Sequence, residues 1–259
     1  MSPHLDVLSY RRNGFAVIRE LFSTEEVWDI ENHVTDYLDR SGPAEALGDF
    51  LYEENAERSL RCAFRLHEHS EYFATLMREP RVIELLQQIF DGADVVADGT
   101  MLINKAPFAS YEFPYHQDNA YQFWSPPEAV GVTLALDESA QESGAITCLT
   151  GSHTMGVFPH QPSGVLGASR GLVDPPAADE YAEEVLTLNP GDISLHHVNT
   201  IHRTGPNRTP HQRRNLGFSY HSSLASPDKI ALAQYERDLK EFLQSETKPE
   251  RPKAKGNLP

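Results

Sequence analysis

His116-Gln117-Asp118 sets an imidazole and a carboxylate two residues apart. In an extended strand such residues project to the same face, so both could reach one cation. One imidazole and one carboxylate do not complete a site, and a second imidazole must come from elsewhere in the chain. The candidate is His202, which ends the run Gly191-Asp192-Ile193-Ser194-Leu195-His196-His197-Val198-Asn199-Thr200-Ile201-His202. Two imidazoles and a carboxylate on one face of an octahedral ion leave three positions open for a bidentate oxoacid and O2, the arrangement of non-haem Fe(II) oxygenases.

Arg213 follows His202 by eleven residues. Over 213–221, Arg213, Asn215, Gly217 and Ser219 share one strand face, while Leu216, Phe218 and Tyr220 share the other. An arginine on a pocket-lining face has a clear use, because its planar fork can grip the distal carboxylate of 2-oxoglutarate while the keto-acid end chelates iron.

These residues need a strand-rich scaffold. Beyond Asp91-Gly92, short apolar runs bounded by Gly, Pro, Asn and Asp occupy 94–105, 129–137, 145–149, 185–188, 192–197 and 213–221, a spacing that suits a sandwich or barrel. The first part reads as helical: residues 4–12, a strand at Phe15-Ala16-Val17-Ile18 after Gly14, then a helix from a Ser23/Glu26 capping box to about Arg40. Ser41 to Glu57 is irregular and acidic. Helical spacing returns over 70–90, divided at Pro80. Phe158 to Ala178, rich in Pro, Gly and Ser, is expected as a long loop across the barrel mouth and a candidate lid. A helix is expected at 226–244 and a disordered tail at 245–259. The expected fold is mainly β with flanking helices, a double-stranded β-helix of jelly-roll, cupin-like form. It makes one domain over 1–244, with a helical N-terminal part (1–92), a barrel (93–225) and a C-terminal helix (226–244).

The 259 residues suit one such domain, and 39% hydrophobic with 23% charged residues is ordinary for a folded, soluble protein. A formal charge of −16, spread along the chain, argues against nucleic acid as a partner. Two cysteines without a framework, Cys62 and Cys148, fit a reducing compartment. With no signal-like segment and no uninterrupted run of 18 apolar residues, no membrane association is expected and a cytoplasmic location is the default.

The sequence resembles the phytanoyl-CoA dioxygenase family of Fe(II)/2-oxoglutarate oxygenases from about Tyr10 to His221. The resemblance rests on Arg12-Asn13-Gly14-Phe15, Met101-Leu102-Ile103-Asn104-Lys105, His116-Gln117-Asp118, Glu142-Ser143-Gly144-Ala145 leading to Gly151-Ser152-His153, and the block from Gly191-Asp192 to Arg213. It implies a dioxygenase using Fe(II), 2-oxoglutarate and O2 on a small-molecule substrate, with His116, Asp118 and His202 as iron ligands and Arg213 as the co-substrate clamp. Thr204 then matches a hydroxyl that assists the clamp, Met101 a co-substrate contact, and Arg61 an expected basic residue. Thr133 stands where family members often carry a tryptophan. Related halogenases lose the carboxylate that Asp118 retains here, so hydroxylation of an unactivated C–H bond is the expected outcome.

Other residues carry less chemistry. His153, His196, His211 and His221 read as hydrogen-bonded or solvated, whereas His197 is a candidate for touching substrate or supporting a ligand. Tyr111, Tyr115, Tyr121, Phe123 and Trp124 either wall the substrate, Tyr121 and Trp124 foremost, or pack the barrel. Lys105 is either a solvated strand-end charge, the preferred reading, or a partner for an anion. Two rival functions fit the same scaffold: a cupin-like metalloenzyme that does not use 2-oxoglutarate, and a non-catalytic jelly-roll binding protein.

Overall fold

The computed structural model describes residues 5–40, 48–53, 58–177 and 179–244. The expected tail at 245–259, and most of the acidic stretch at 41–57, lie outside them. Elements run α1 (Val7–Asn13), β1 (Phe15–Ile18), α2 (Thr24–Asp39), β2 (Phe50–Tyr52), β3 (Leu60–Phe64), α3 (Leu66–His69), α4 (Glu71–Leu76) and α5 (Pro80–Ile89). The strand-rich part follows as β4 (Val95–Lys105), β5 (Phe113–His116), α6 (Asn119–Gln122), β6 (Trp124–Ser125), β7 (Ala129–Ala135), β8 (Ile146–Leu149), β9 (His160–Val165) and β10 (Ala168–Leu172). It closes with β11 (Glu183–Val185), β12 (Ile193–His197), β13 (His202–Thr204), β14 (Arg213–Ser222), β15 (Ser226–Pro227) and α7 (Lys229–Gln244).

Local sequence explains the helical boundaries. Asp6 caps α1 through the Ser9 amide at 3.0 Å, so the helix starts later than the expected residue 4. The Ser23/Glu26 capping box forms in both directions, at 3.2 and 2.7 Å, and fixes the start of α2. Pro80 begins α5, where its missing N–H costs nothing.

Two antiparallel sheets build the jelly roll: a seven-stranded sheet in the order β1-β12-β7-β14-β4-β3-β2 and a four-stranded sheet in the order β11-β8-β13-β5. On the outer face of the large sheet, Leu102, Val132, Leu134, Leu195, Leu216 and Phe218 pack against Val27, Ile30 and Val34 of α2 and Val82, Leu85 and Leu86 of α5. Burying a leucine of this kind contributes about 1.5–3 kcal/mol. The inner face looks toward the small sheet and carries the alternate residues.

The structure corrects one expectation. Residues 158–178 do not form a structureless loop: β9 and β10 pair as a hairpin. The hairpin is pinned down, for Arg61 Nη1 donates to the Leu166 carbonyl at 2.8 Å and Arg170 Nη1 to the Ala120 carbonyl at 3.2 Å. No helix among the described residues is long and apolar enough to cross a membrane.

Candidate metal centre and co-substrate pocket

β5 ends on His116, β13 begins on His202, and the two are cross-strand partners. Asp118 follows two residues after His116. One donor atom from each of the three lies within 4.8 Å of the others. Asp118 Oδ1 is 3.7 Å from Nε2 of both histidines, a spacing suited to donors that share a cation at about 2 Å.

The tautomers agree with this use. His116 Nδ1 lies 2.8 Å from the Pro114 carbonyl and His202 Nδ1 lies 3.0 Å from the Thr200 carbonyl. A carbonyl only accepts, so each ring carries its proton on Nδ1 and turns a bare Nε2 lone pair inward. Burial lowers the pKa of His116, and lowers that of His202 to about 3, keeping both imidazoles neutral. Burial alone would raise the pKa of Asp118, but the hydrogen bond from His196 Nε2 favours the ionised carboxylate, and its pKa lies below the usual carboxylate range. Two neutral imidazoles and one carboxylate are the donor set a ferrous ion takes.

The inner face of β14 and β4 carries two buried basic side chains, Arg213 and Lys105. Arg213 is 1% exposed and has no ion-pair partner among the described residues; its Nη2 donates to the Gly144 carbonyl at 2.9 Å. Burial lowers its pKa to about 10. Lys105, its cross-strand partner, is fully buried, so the preferred reading of it as a solvated charge is overturned. Its Nζ donates to the carbonyls of Gly205 at 2.6 Å and Tyr111 at 3.1 Å, and burial, then Arg213 and Arg61, lower its pKa to about 6. The Tyr111 ring receives both Arg61, 3.6 Å from its centroid, and Lys105, 4.3 Å away. Arg61 is itself paired with Glu53 at 2.7 Å.

Gly144 explains why this cluster closes so tightly. It sits at φ +80°, and a Cβ there would meet the Gly205 oxygen at 2.4 Å and Lys105 Cδ at 3.0 Å. Thr204, two residues after His202, has a buried Oγ1 with no hydrogen-bond partner. Met101 and Thr133 both lie opposite Gly217, so they share the inner face with Arg213. A buried guanidinium, a buried amine that an anion would keep protonated, and a hydroxyl without a partner among the described residues are groups that could receive a small dianion.

The chain matches the model of the phytanoyl-CoA dioxygenase family over residues 10–215. It belongs to that family. Membership makes it an Fe(II)- and 2-oxoglutarate-dependent dioxygenase. A probable alpha-ketoglutarate-dependent hypophosphite dioxygenase of Stutzerimonas stutzeri is 30% identical over 226 residues, covering 84% of this chain and 78% of that protein. An ectoine dioxygenase of Streptomyces anulatus is 25% identical over 234 residues, covering 84% and 77%. In fold, the chain is similar to the non-heme alpha ketoglutarate dependent epimerase SnoN (TM-score 0.70, 18% identity, 88% and 86% covered). It is likewise similar to EctD from S. alaskensis (TM-score 0.68, 21% identity, 83% and 75% covered).

Within this phytanoyl-CoA dioxygenase family chain, the remaining candidates fall on different sides of the triad. Tyr121 donates from its hydroxyl to Asp118 Oδ1 and so lies beside the metal position. Trp124 stacks on His221 with ring centroids 4.0 Å apart. His197 turns away: Nδ1 accepts from the Asn199 amide at 3.0 Å and the ring sits against His153. Its neighbour His196 lies against Asp118 instead, with Nε2 3.1 Å from Oδ2. Sequence reasoning also passed over Gln117, which is fully buried between the two ligand positions His116 and Asp118. Its amide donates to the carbonyls of Gly156 at 2.8 Å and Asn199 at 2.7 Å and accepts from the Phe158 amide at 2.7 Å, tying the ligand segment to the covering loops. Strand alternation would have placed His196 opposite Leu195 and His197, whereas Gln117 lies beyond the end of β5 and carries no such signal.

Proposed function

We propose that His116, Asp118 and His202 hold one ferrous ion, that Arg213 grips the distal carboxylate of 2-oxoglutarate, and that the enzyme hydroxylates an unactivated C–H bond of a small organic substrate. The observation that carries this reading is the presence of two groups: bare Nε2 lone pairs with a carboxylate at the end of the small sheet, and on the large sheet the buried Arg213, without an ion-pair partner among the described residues, beside Lys105. When bound, Fe(II) with 2-oxoglutarate and O2 supplies the oxidation, one oxygen atom going to the substrate C–H and the other to succinate as CO2 leaves.

The chain's own residues then bind and orient. The triad would hold the ion through three side-chain donors, leaving room for co-substrate. Arg213 fixes the co-substrate from its far end, with Thr204, Arg61, Met101 and Thr133 around it. The pinned β9–β10 hairpin keeps water from the buried ligands, and Tyr121 and Trp124 line the substrate side. Asp118 favours hydroxylation, because it fills the position a halide would need. Relatives named for hypophosphite and ectoine support a small, polar substrate. We also read the enzyme as cytoplasmic, which its two free, buried cysteines support.

The test is succinate release with Fe(II) and 2-oxoglutarate across a panel of small polar compounds. At least one should stimulate release and gain one oxygen atom. Arg213→Ala should raise the KM for 2-oxoglutarate by about 30-fold or more, and Arg213→Lys should recover only part, since a point charge cannot replace the fork. Turnover of any substrate without 2-oxoglutarate would contradict the reading.

A further inference from the structure

We propose that His196 is a positioning residue for Asp118: its Nε2–H holds the outer carboxylate oxygen and keeps Asp118 a one-oxygen ligand. The inference rests on the metal site proposed above and adds a residue that the ligand motif does not contain.

Three histidine rings gather here, and their hydrogen bonds sort them. His116 and His202 each place Nδ1 on a backbone carbonyl, which leaves Nε2 bare for a cation. His196 reverses this pattern. Its Nδ1 is buried without a partner among the described residues, while Nε2 faces Asp118 Oδ2 at 3.1 Å. A carboxylate accepts only, so the proton of the neutral ring sits on Nε2, and the partnerless Nδ1 is a lone pair, less costly to bury than an unpaired N–H. His196 is therefore a donor to the carboxylate and not a fourth ligand.

The two oxygens of Asp118 are thereby divided. Oδ1, which also accepts the Tyr121 hydroxyl, lies 3.7 Å from both ligand nitrogens, whereas Oδ2 is engaged by His196. With Oδ2 released, the carboxylate could rotate and present both oxygens to the cation, filling one of the three positions that co-substrate and O2 require.

The fold makes room for this ring at one place. Gly131 lies opposite His196 in the β7–β12 ladder, and a Cβ on Gly131 would stand 2.5 Å from both Cε1 and Nε2. No real side chain tolerates that distance, so the glycine is what allows the imidazole to lie flat beside Asp118. Any larger residue at 131 must push the ring off the carboxylate without touching a metal ligand.

The experiment is anaerobic Fe(II) titration, followed by the visible charge-transfer absorption that appears when 2-oxoglutarate chelates the bound ion. His196→Phe keeps the ring and loses the donor; it should weaken Fe(II) binding by about 10–100-fold and shift or diminish the absorption. His196→Gln restores a donor and should recover part of both. Gly131→Ala should reproduce the phenylalanine variant with all the ligands intact, and it serves as the measurement if His196→Phe does not fold. Wild-type Fe(II) affinity and an unchanged absorption in folded His196→Phe or Gly131→Ala protein would overturn the proposal. Failure of the wild-type protein itself to bind Fe(II) would instead overturn the metal site on which it rests.

Discussion

The two faces of the seven-stranded sheet are built from the same strands and do opposite work. Along β14, Leu216, Phe218 and Tyr220 enter the apolar core under α2 and α5, while Arg213, Asn215 and Ser219 turn inward. Along β12, Ile193 and Leu195 face the helices, and Ser194 and His196 face the interior. The outer face buries apolar area and supplies stability. The inner face buries polar and charged groups whose partners are to come from ligands, and it spends stability to do so. Substitutions on the two faces should therefore separate stability from chemistry.

The largest expected effect is on the ligand side. Asp118→Ala should abolish stoichiometric Fe(II) binding and lower turnover by at least about a thousandfold. The metal-free variant should lose only about 1–3 kcal/mol, the cost of leaving the Tyr121 hydroxyl and the His196 Nε2–H without their acceptor. Melting curves with and without Fe(II) check both, and a large loss of metal-free stability would blur the contrast between the faces.

Leu134 tests the opposite side. It is fully buried on the outer face, directly between the inward-facing Thr133 and Ala135. Leu134→Ala should cost about 2–5 kcal/mol in denaturant unfolding, with the KM for 2-oxoglutarate unchanged below the melting range. A raised KM at intact stability would mean the faces are not independent.

The smallest effect sharpens the account of the inner face. With its pKa lowered to about 6, Lys105 is neutral in the folded apo-protein above that pH, and its two carbonyl acceptors match the two N–H bonds of a neutral amine. The unfolded chain keeps this lysine protonated up to about 10.5. Between those values the unfolded state binds more protons, so this group makes stability rise with pH across the window. A bound dianion favours the ammonium form, so 2-oxoglutarate binding near pH 7.5 should take up about one proton. Calorimetry in two buffers of different ionisation enthalpy reads the uptake, and Lys105→Met should remove it.

How much of this was legible in the sequence follows from the same contrast. The inward and outward sets of β14 could be read residue by residue, because one face is apolar and the other is not. The ligand triplet was legible from its residue types, but not for the reason expected: β5 ends at His116, and Asp118 converges on it from the start of α6, where the backbone is helical. β3 was missed: Arg61, Cys62 and Ala63 are all buried, so no alternation marks the strand. The β9–β10 hairpin was missed for the converse reason, as much of it is exposed and apolar periodicity is weak. Lys105 was misjudged because its burial comes from Gly144, Gly205 and Tyr111, segments that only the tertiary fold brings over it. His197 was weighed ahead of His196 by distance from His202 along the chain, when strand phase was the better guide.

The central claim is that the inner faces hold iron and co-substrate between the triad and Arg213, and an anaerobic crystal structure with Fe(II) and 2-oxoglutarate tests it most directly. The account predicts one metal at about 2.0–2.2 Å from Nε2 of His116, Nε2 of His202 and a single oxygen of Asp118, with the distal carboxylate of 2-oxoglutarate on the Arg213 guanidinium. Metal bound elsewhere, or 2-oxoglutarate lying away from Arg213, would contradict it.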